Sequence, residues 1–411
     1  MTIMTEPSVT LEAKPGGICA VPGIRAAGVV VGLKRSGRPD LALVAADRTV
    51  AAAAVQTRNQ VKAAPVQVTA RHVANGRARA VLLNSGSANV CTGPAGLAIA
   101  QESCAIVAAE LGCEISDVLV CSTGLIGAPV PRGLLVAGIP RAVAALSPQG
   151  GADAAAAILT TDTVTKQAAV LVREEREVTS TGPAECRIGG MAKGSGMIAP
   201  EMATLLSVVT TDAPLAGLVM TSVLREAVDR TFNRISVDGC MSTNDAVILL
   251  ATGEAKRPPS LAAFTEGLVA VLGELAEGLV RDGEGATRVL HIRVTGARTE
   301  PDAVGVGKAI GGSALVKAAL AGGDPNWGRV LAAMGAGPVE FDPGKVSVRF
   351  GEVTVCRFGV AMSFDHGQAV SALEGPDVHL TVDLGQGEAV ATFLTCDLTY
   401  DYVRINSEYT T

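Results

Sequence analysis

A core that must be filled almost without aromatic rings is the tightest constraint on this chain. Seven Phe, three Tyr and one Trp are spread over 411 residues. A buried ring ordinarily removes roughly 150–250 Å2 from water. Here that area has to come from Ala, Val, Leu and Ile, with 47 Gly letting backbones approach closely. Hydrophobic residues make up 48 % of the chain and charged residues 18 %, the balance of a folding sequence rather than a disordered one. The length exceeds what one ordinary core organises and points to two or three domains.

Several function classes drop out next. The net charge is −6, and neither a basic stripe nor an aromatic stacking platform is visible, which argues against nucleic-acid binding. No apolar run reaches the roughly 18 residues that span a bilayer. The N-terminus has no basic start and no apolar stretch, so no signal peptide is expected. Nine Cys without a single C-x-x-C read as reduced, mostly buried thiols of a cytosolic protein. The four His (His72, His291, His366, His379) lie at no zinc-type spacing to one another or to Cys. Chemistry resting on a metal or a His-based triad is therefore not expected.

Short apolar runs alternate with helical patterns. Gly28–Lys34, Asp40–Ala46, Ala78–Asn84 and Asp117–Cys121 read as strands, the last closed by Ser122-Thr123-Gly124. Ala95–Leu111, Arg132–Leu146 and Ala152–Leu159 read as helices. Leu261, Phe264, Leu268, Leu272, Leu275 and Leu279 recur at steps of three and four, a clear amphipathic helix that stops before Asp282-Gly283. Val346–Phe350, Val353–Val360, Val378–Asp383 and Ala389–Leu394 read as late strands and antiparallel neighbours. Arg173–Gly190, charged and then Gly-rich, reads as a surface loop. The mixed order predicts an α/β protein with mixed sheets.

Common motifs fail when tested. Lys308 follows Gly305-Val306-Gly307, but a phosphate-cradling loop needs Gly at 302 and Ser or Thr at 309, where Asp302 and Ala309 stand. Gly194, Gly196 and Ala199 fit a loose dinucleotide pattern, yet Pro200 follows at once and no acidic residue sits in strand context about 20 residues on. No G-x-S-x-G elbow occurs. What remains are three polar or Gly-rich segments between apolar runs: Asn84–Asn89, Cys121–Gly127 and Lys193–Gly196. Strand-end loops of this kind commonly carry sites.

The stretch Gly189-Gly190-Met191-Ala192-Lys193-Gly194-Ser195-Gly196-Met197-Ile198-Ala199-Pro200-Glu201-Met202-Ala203-Thr204-Leu205-Leu206 is no longer generic. It closely resembles the self-cleaving segment of the glutamate N-acetyltransferase/ornithine acetyltransferase family of arginine biosynthesis. Further matching stretches are Thr57–Pro65, Asn84–Gly93, Cys121–Gly127, Leu159–Asp162, Ser242–Asp245, Asp282–Thr287, Asp324–Arg329 and Asn406–Thr411. They occur in the family's order, and the resemblance covers nearly the whole chain.

The resemblance implies a mixed-sheet α/β sandwich of the ornithine acetyltransferase type, made of two intertwined halves. The precursor would cut itself between Ala203 and Thr204, leaving an α chain (1–203) and a β chain (204–411). Thr204 would then be the nucleophile that carries the acetyl group in a ping-pong reaction from N2-acetyl-L-ornithine to L-glutamate. A Thr hydroxyl needs a base beside it. The freed α-amine of the same residue, with a reference pKa of about 7.7–8.0, supplies one without any His. Thr123 and Gly124 correspond to the oxyanion-hole pair. Thr160, Lys193, Thr204, Glu284, Asn406 and Thr411 correspond to substrate-binding positions, Lys193 suited to a carboxylate and Glu284 to an ammonium. No cofactor or metal is implied. Acetyl-CoA is a second donor in bifunctional members, and an α2β2 heterotetramer in the cytoplasm is the expected form.

Departures from the family pattern are Glu201, the Gly239–Ser242 segment, and a longer stretch between Thr160 and Lys193; they read as tolerated loop changes, with Glu201 the one able to slow the proposed cut by adding charge near it. Two other functions compete. One is an N-terminal-nucleophile amidase or aminopeptidase, in which water takes the acyl group. The other is an unprocessed regulatory paralogue, against which the retained Ala203-Thr204, Thr123 and Gly124 argue.

Overall fold

The computed structural model describes residues 8–175, 183–199 and 205–408. Among the described residues, ten strands come before the helix Leu261–Arg281: β1 (Val9–Ala13), β2 (Ile24–Val29), β3 (Leu41–Gln56), β4 (Arg77–Ser87), β5 (Val118–Leu125), β6 (Lys166–Glu174), β7 (Ala184–Lys193), β8 (Leu206–Thr211), β9 (Ile235–Ser236) and β10 (Ala246–Ala251). Nine of them form one sheet in the order β1-β6-β7-β8-β10-β3-β4-β5, with β2 alongside β3. Only β8/β10 and β4/β5 run parallel; the other pairs are antiparallel. Strands β8 and β10, which follow position 204, thus lie between β7 and β3, which precede it.

The second sheet adds β11 (Val289–Ala297), β12 (Ser347–Phe350), β13 (Val353–Arg357), β14 (Val360–Ala361), β15 (Asp377–Asp383) and β16 (Ala389–Cys396). Its order is β14-β13-β12-β15-β11-β16-β9, with β11/β15 and β16/β9 parallel. The protein is therefore mixed α/β with two mixed sheets.

The helices are α1 (Ala64–Val73), α2 (Gly93–Leu111), α3 (Arg132–Ala144), α4 (Gly151–Ala157), α5 (Gly217–Arg230), α6 (Leu261–Arg281), α7 (Glu300–Gly311), α8 (Ala314–Ala321), α9 (Trp327–Gly335), α10 (His366–Ser371) and α11 (Tyr400–Glu408). Helix α6 starts on a Ser260 cap that accepts from the Ala263 amide. Its apolar stripe, Phe264, Leu268, Leu272, Leu275 and Leu279, is buried with Val172, Ile188 and Val209 of the large sheet. Helices α1–α3 cover β3–β5 through Leu43, Leu82 and Val120. Helices α7–α10 cover the second sheet. No single helix among the described residues is long and apolar enough to cross a membrane.

Four expectations change. The strand read at Gly28–Lys34 is β2 (Ile24–Val29), because the buried Asp40 carboxylate accepts from the Val31, Gly32 and Lys34 amides and turns the chain there. The loop read at Arg173–Gly190 is largely strand: β6 runs to Glu174 and β7 starts at Ala184. Its glycines serve packing rather than turning. A Cβ on Gly189 would stand 2.1 Å from the Gly17 carbonyl oxygen, and one on Gly190 3.1 Å from Leu275. Among the late strands, β15 and β16 are not neighbours, since β11 inserts between them and runs parallel to β15. Val353–Val360 breaks into β13 and β14 at Phe358-Gly359, both at positive φ.

Candidate active site

The ends of β4, β5 and β7 meet at one place. Strand β5 does not stop at Cys121. Thr123 and Gly124 stay in register with Ser85 and Gly86 of β4. Gly124 has φ +127°, and a Cβ there would lie 2.5 Å from the Gly86 carbonyl carbon and 2.7 Å from the Ser87 nitrogen. Only glycine admits this contact. From β7, Lys193 donates to the Thr123 hydroxyl over 3.3 Å.

Lys193 is buried, and so is Asp162, which stands 3.8 Å away. The Asp162 carboxylate also takes the Lys166 ammonium at 2.6 Å, the Gly194 amide at 2.6 Å and the Thr160 amide at 2.9 Å. The Thr160 hydroxyl lies 3.4 Å from the same oxygen. Burial alone would raise the Asp162 carboxyl, but the Lys193 and Lys166 charges outweigh it and hold it well below the ordinary carboxylate range. Burial lowers the Lys193 ammonium from its usual value, and Asp162 offsets part of that. Lys166 also pairs with the Asp282 carboxylate and donates to the Gly194 carbonyl at 3.2 Å.

Two carboxylates hold the turn after β7. Asp162 takes the Gly194 amide, and Asp238 takes the Ile198 amide at 2.9 Å and the Met197 amide at 2.5 Å. The Ser195 carbonyl accepts from the Glu284 amide at 2.8 Å, and the Ser195 and Thr161 hydroxyls bond over 2.7 Å. A Cβ on Gly196 would come within 2.5 Å of the Glu284 carboxylate, so this glycine makes room for the acid. Glu284 in turn accepts from the Asn406 amide group at 2.7 Å. Helix α11 reaches that position because Gly285 lets the Tyr402 backbone come close; a Cβ there would be 2.4 Å from the Tyr402 nitrogen.

Thr123, Gly124, Thr160, Lys193, Glu284 and Asn406 are thus drawn together around the 193–196 turn, although they come from positions spread along most of the chain. Leu206, at the start of β8, pairs with Lys193 in the ladder. Glu201, Ala203, Thr204 and Thr411 lie outside the described residues. Sequence reasoning assigned no role to Asp162, Lys166, Asp238, Asp282 or Tyr402. Asp162 and Asp282 stand inside matching segments, but nothing local to them announces that one buried lysine will bridge them. Tyr402 leaves its mark only here, where burial and the nearby Asp238 raise its phenol.

The buried bridge has a measurable consequence. Removing one partner of such a pair leaves uncompensated buried charge, which costs about 3–5 kcal/mol. Lys166→Met strands the Asp282 carboxylate, whose side chain is 5 % exposed, and leaves the fully buried Asp162 with only the more distant Lys193 at 3.8 Å among the described cations. A markedly lower thermal unfolding midpoint is expected. A midpoint equal to the parent's would show that the bridge carries no stability.

Residues 25–411 match the model of the ArgJ family. The chain belongs to that family. The arginine biosynthesis bifunctional protein ArgJ of Symbiobacterium thermophilum is 48 % identical over 409 residues, which is 98 % of this chain and 100 % of that one. The ArgJ protein of Thermobifida fusca is 47 % identical over 395 residues, 96 % of this chain and 100 % of that one. A solved ornithine acetyltransferase from Mycobacterium tuberculosis, complexed with ornithine, is 43 % identical, spans 48 % of this chain and 100 % of its own, and superposes with a TM-score of 0.41. ArgJ membership makes the chain an acyltransferase of arginine biosynthesis, with ornithine acetyltransferase and glutamate N-acetyltransferase activities.

Proposed function

We propose that the chain cuts itself between Ala203 and Thr204 and then moves acetyl from N2-acetyl-L-ornithine to L-glutamate through an acetyl ester on Thr204. The observation that carries this reading is the convergence of Thr123, Lys193, Thr160, Glu284 and Asn406 on the turn that leads into β8. A substrate with a carboxylate and an ammonium matches the paired charges of Lys193 and Glu284. Thr123 and Gly124 would stabilise the oxyanion when the Thr204 hydroxyl attacks, where one well-aimed donor is worth about 2.7–4 kcal/mol. The freed Thr204 amine would serve as base. Asn406 brings the C-terminal helix against Glu284, and Thr411 would close the site beyond it.

The products would be an α chain, 1–203, and a β chain, 204–411, interlocked through β8 and β10. An α2β2 heterotetramer in the cytoplasm, with acetyl-CoA as the second donor and no metal, completes the reading. The test supplies N-acetylornithine with and without glutamate. N-acetylglutamate and ornithine should appear together only when glutamate is present. Acetate release indifferent to glutamate would overturn the transferase mechanism in favour of a hydrolase. Substituting acetyl-CoA for acetylornithine reports on the second donor.

A further inference from the structure

The wall that carries Thr123 continues outward through the end of β4. Ser85 and Gly86 pair with Thr123 and Gly124 on one side. On the other side the Ser85 amide donates to the Asp40 carbonyl at 2.9 Å. The Ser85 hydroxyl donates to the Ala157 carbonyl at 2.6 Å, on the segment that leads to Thr160. Neighbouring strands lie about 4.8 Å apart, which sets the Asp40 backbone roughly 10 Å from that of Thr123.

The loop between β2 and β3 folds back onto this edge. The Asp40 carboxylate takes the Val31, Gly32 and Lys34 amides at 2.7, 3.0 and 3.0 Å. The Leu33 carbonyl oxygen packs on Gly86, 2.8 Å from where a Cβ would stand. Beside it the Lys34 ammonium donates to the Pro39 carbonyl at 2.8 Å. Lys34 makes no ion pair among the described residues, since the nearby Asp40 carboxylate is taken up by backbone amides. The side chain is half-buried, and burial lowers its ammonium to about 8, with Asp40 offsetting part of that. Lys193, Asp162 and Arg38 are the other charges that act on it. A partly desolvated ammonium without a carboxylate gains by meeting one.

The two substrates differ in what they bring to this wall. N-acetylornithine carries one carboxylate and, at its far end, an ammonium. Glutamate carries a second carboxylate at its far end. Lys193 suits the carboxylate that both share, and Glu284 suits the ornithine ammonium. Glu284 repels the second carboxylate of glutamate, which therefore needs another cation. We propose that Lys34 receives the side-chain carboxylate of glutamate and so makes the site choose glutamate as acetyl acceptor. The proposal rests on the transferase reading above, with Lys193 holding the shared carboxylate.

The experiment measures the two half-reactions of the full-length protein separately, with glutamate and glutamine as rival acceptors. Glutamine has the same shape and lacks the second charge. The parent should prefer glutamate by at least about ten-fold in kcat/KM, the scale of one charge-assisted hydrogen bond. Lys34→Met keeps the backbone amide that Asp40 holds and the apolar stem of the side chain. It should raise KM for glutamate at least about ten-fold and shrink the preference over glutamine, with a much smaller rise in KM for N-acetylornithine. Lys34→Arg, which keeps the charge, should recover part of the preference. Equal rises in both KM values would mark a distorted wall and overturn the proposal. A parent that does not discriminate, or a Lys34→Met chain that discriminates as the parent does, also overturns it. A parent that passes no acetyl from N-acetylornithine to glutamate sinks the transferase reading itself, and the proposal with it.

Discussion

Thr204→Ala is expected to leave one uncut chain and to lower acetyl transfer by at least about 10³-fold, the scale on which enzymes lose activity with their nucleophile. The size follows from two losses at once. The substitution removes the hydroxyl that would carry the acetyl group, and it leaves residue 204 with an amide nitrogen in place of a basic amine. Everything else in the site stays. The Lys193–Thr123 contact, the Asp162 cluster and the Asn406–Glu284 bond all lie outside residue 204. Substrate should still bind, so the uncut variant should retain affinity for ornithine while turning nothing over. Calorimetry for binding and intact mass for cleavage read the two effects separately. Full activity in an uncut Thr204→Ala chain would end the N-terminal nucleophile mechanism.

Gly124→Ala is expected to have the next largest effect. The residue sits at φ +127°, where a Cβ would press into the Gly86 carbonyl carbon at 2.5 Å. Holding such a conformation with a side chain costs on the order of 1–3 kcal/mol. The clash is with backbone, so no side chain can swing aside to relieve it. Strand β4 has to retreat, and the far side of Gly86 is itself close-packed: a Cβ on that glycine would lie 2.8 Å from the Leu33 carbonyl oxygen. On the mechanism proposed above, the donors at 123–124 would then leave their line to the developing oxyanion. A kcat lower by about 10²–10³ is expected, with a smaller change in KM. A kcat within about three-fold of the parent would remove Gly124 from the oxyanion hole.

The sequence made α6 legible because its stripe of Leu and Phe alternates at helical steps and packs as that stripe requires. It misled at Gly189-Gly190, where glycine ordinarily means a turn. There the glycines lie inside β7 so that the Gly17 backbone and Leu275 can come close. In a core this poor in rings, close approach of backbone does the filling, and glycine in a strand is its mark. Strand β11 went unread although Leu290, Ile292 and Val294 alternate with His291, Arg293 and Thr295. Its insertion between β15 and β16 depends on partners nearly a hundred residues downstream.

The site was legible in a different way. The residues around Lys193 were singled out through the resemblance, and the structure brings the described ones to one turn. What holds them was not readable. Asp162, Asp238 and Asp282 act through backbone amides and a buried lysine, contacts made only when distant segments meet. An acid in a polar loop looks the same in sequence whether it caps a turn or faces solvent.

The position of β8 and β10 has one more consequence. Each is flanked on its outer side by a strand from before position 204: β7 beside β8, and β3 beside β10. A cut at 203–204 would not loosen this arrangement, because the ladder bonds and the cores on both faces cross it. It would change how the molecule can be made again. Before the cut, β8 finds its slot as part of the same chain, at the high local concentration that covalent tethering supplies. After it, a denatured sample holds two strangers that must meet in solution, each with a gap where the other's strands belong. Renaturation yield should then rise with protein concentration, so a folded dimer of fragments would record an assembly pathway that its own parts, once diluted, no longer retrace.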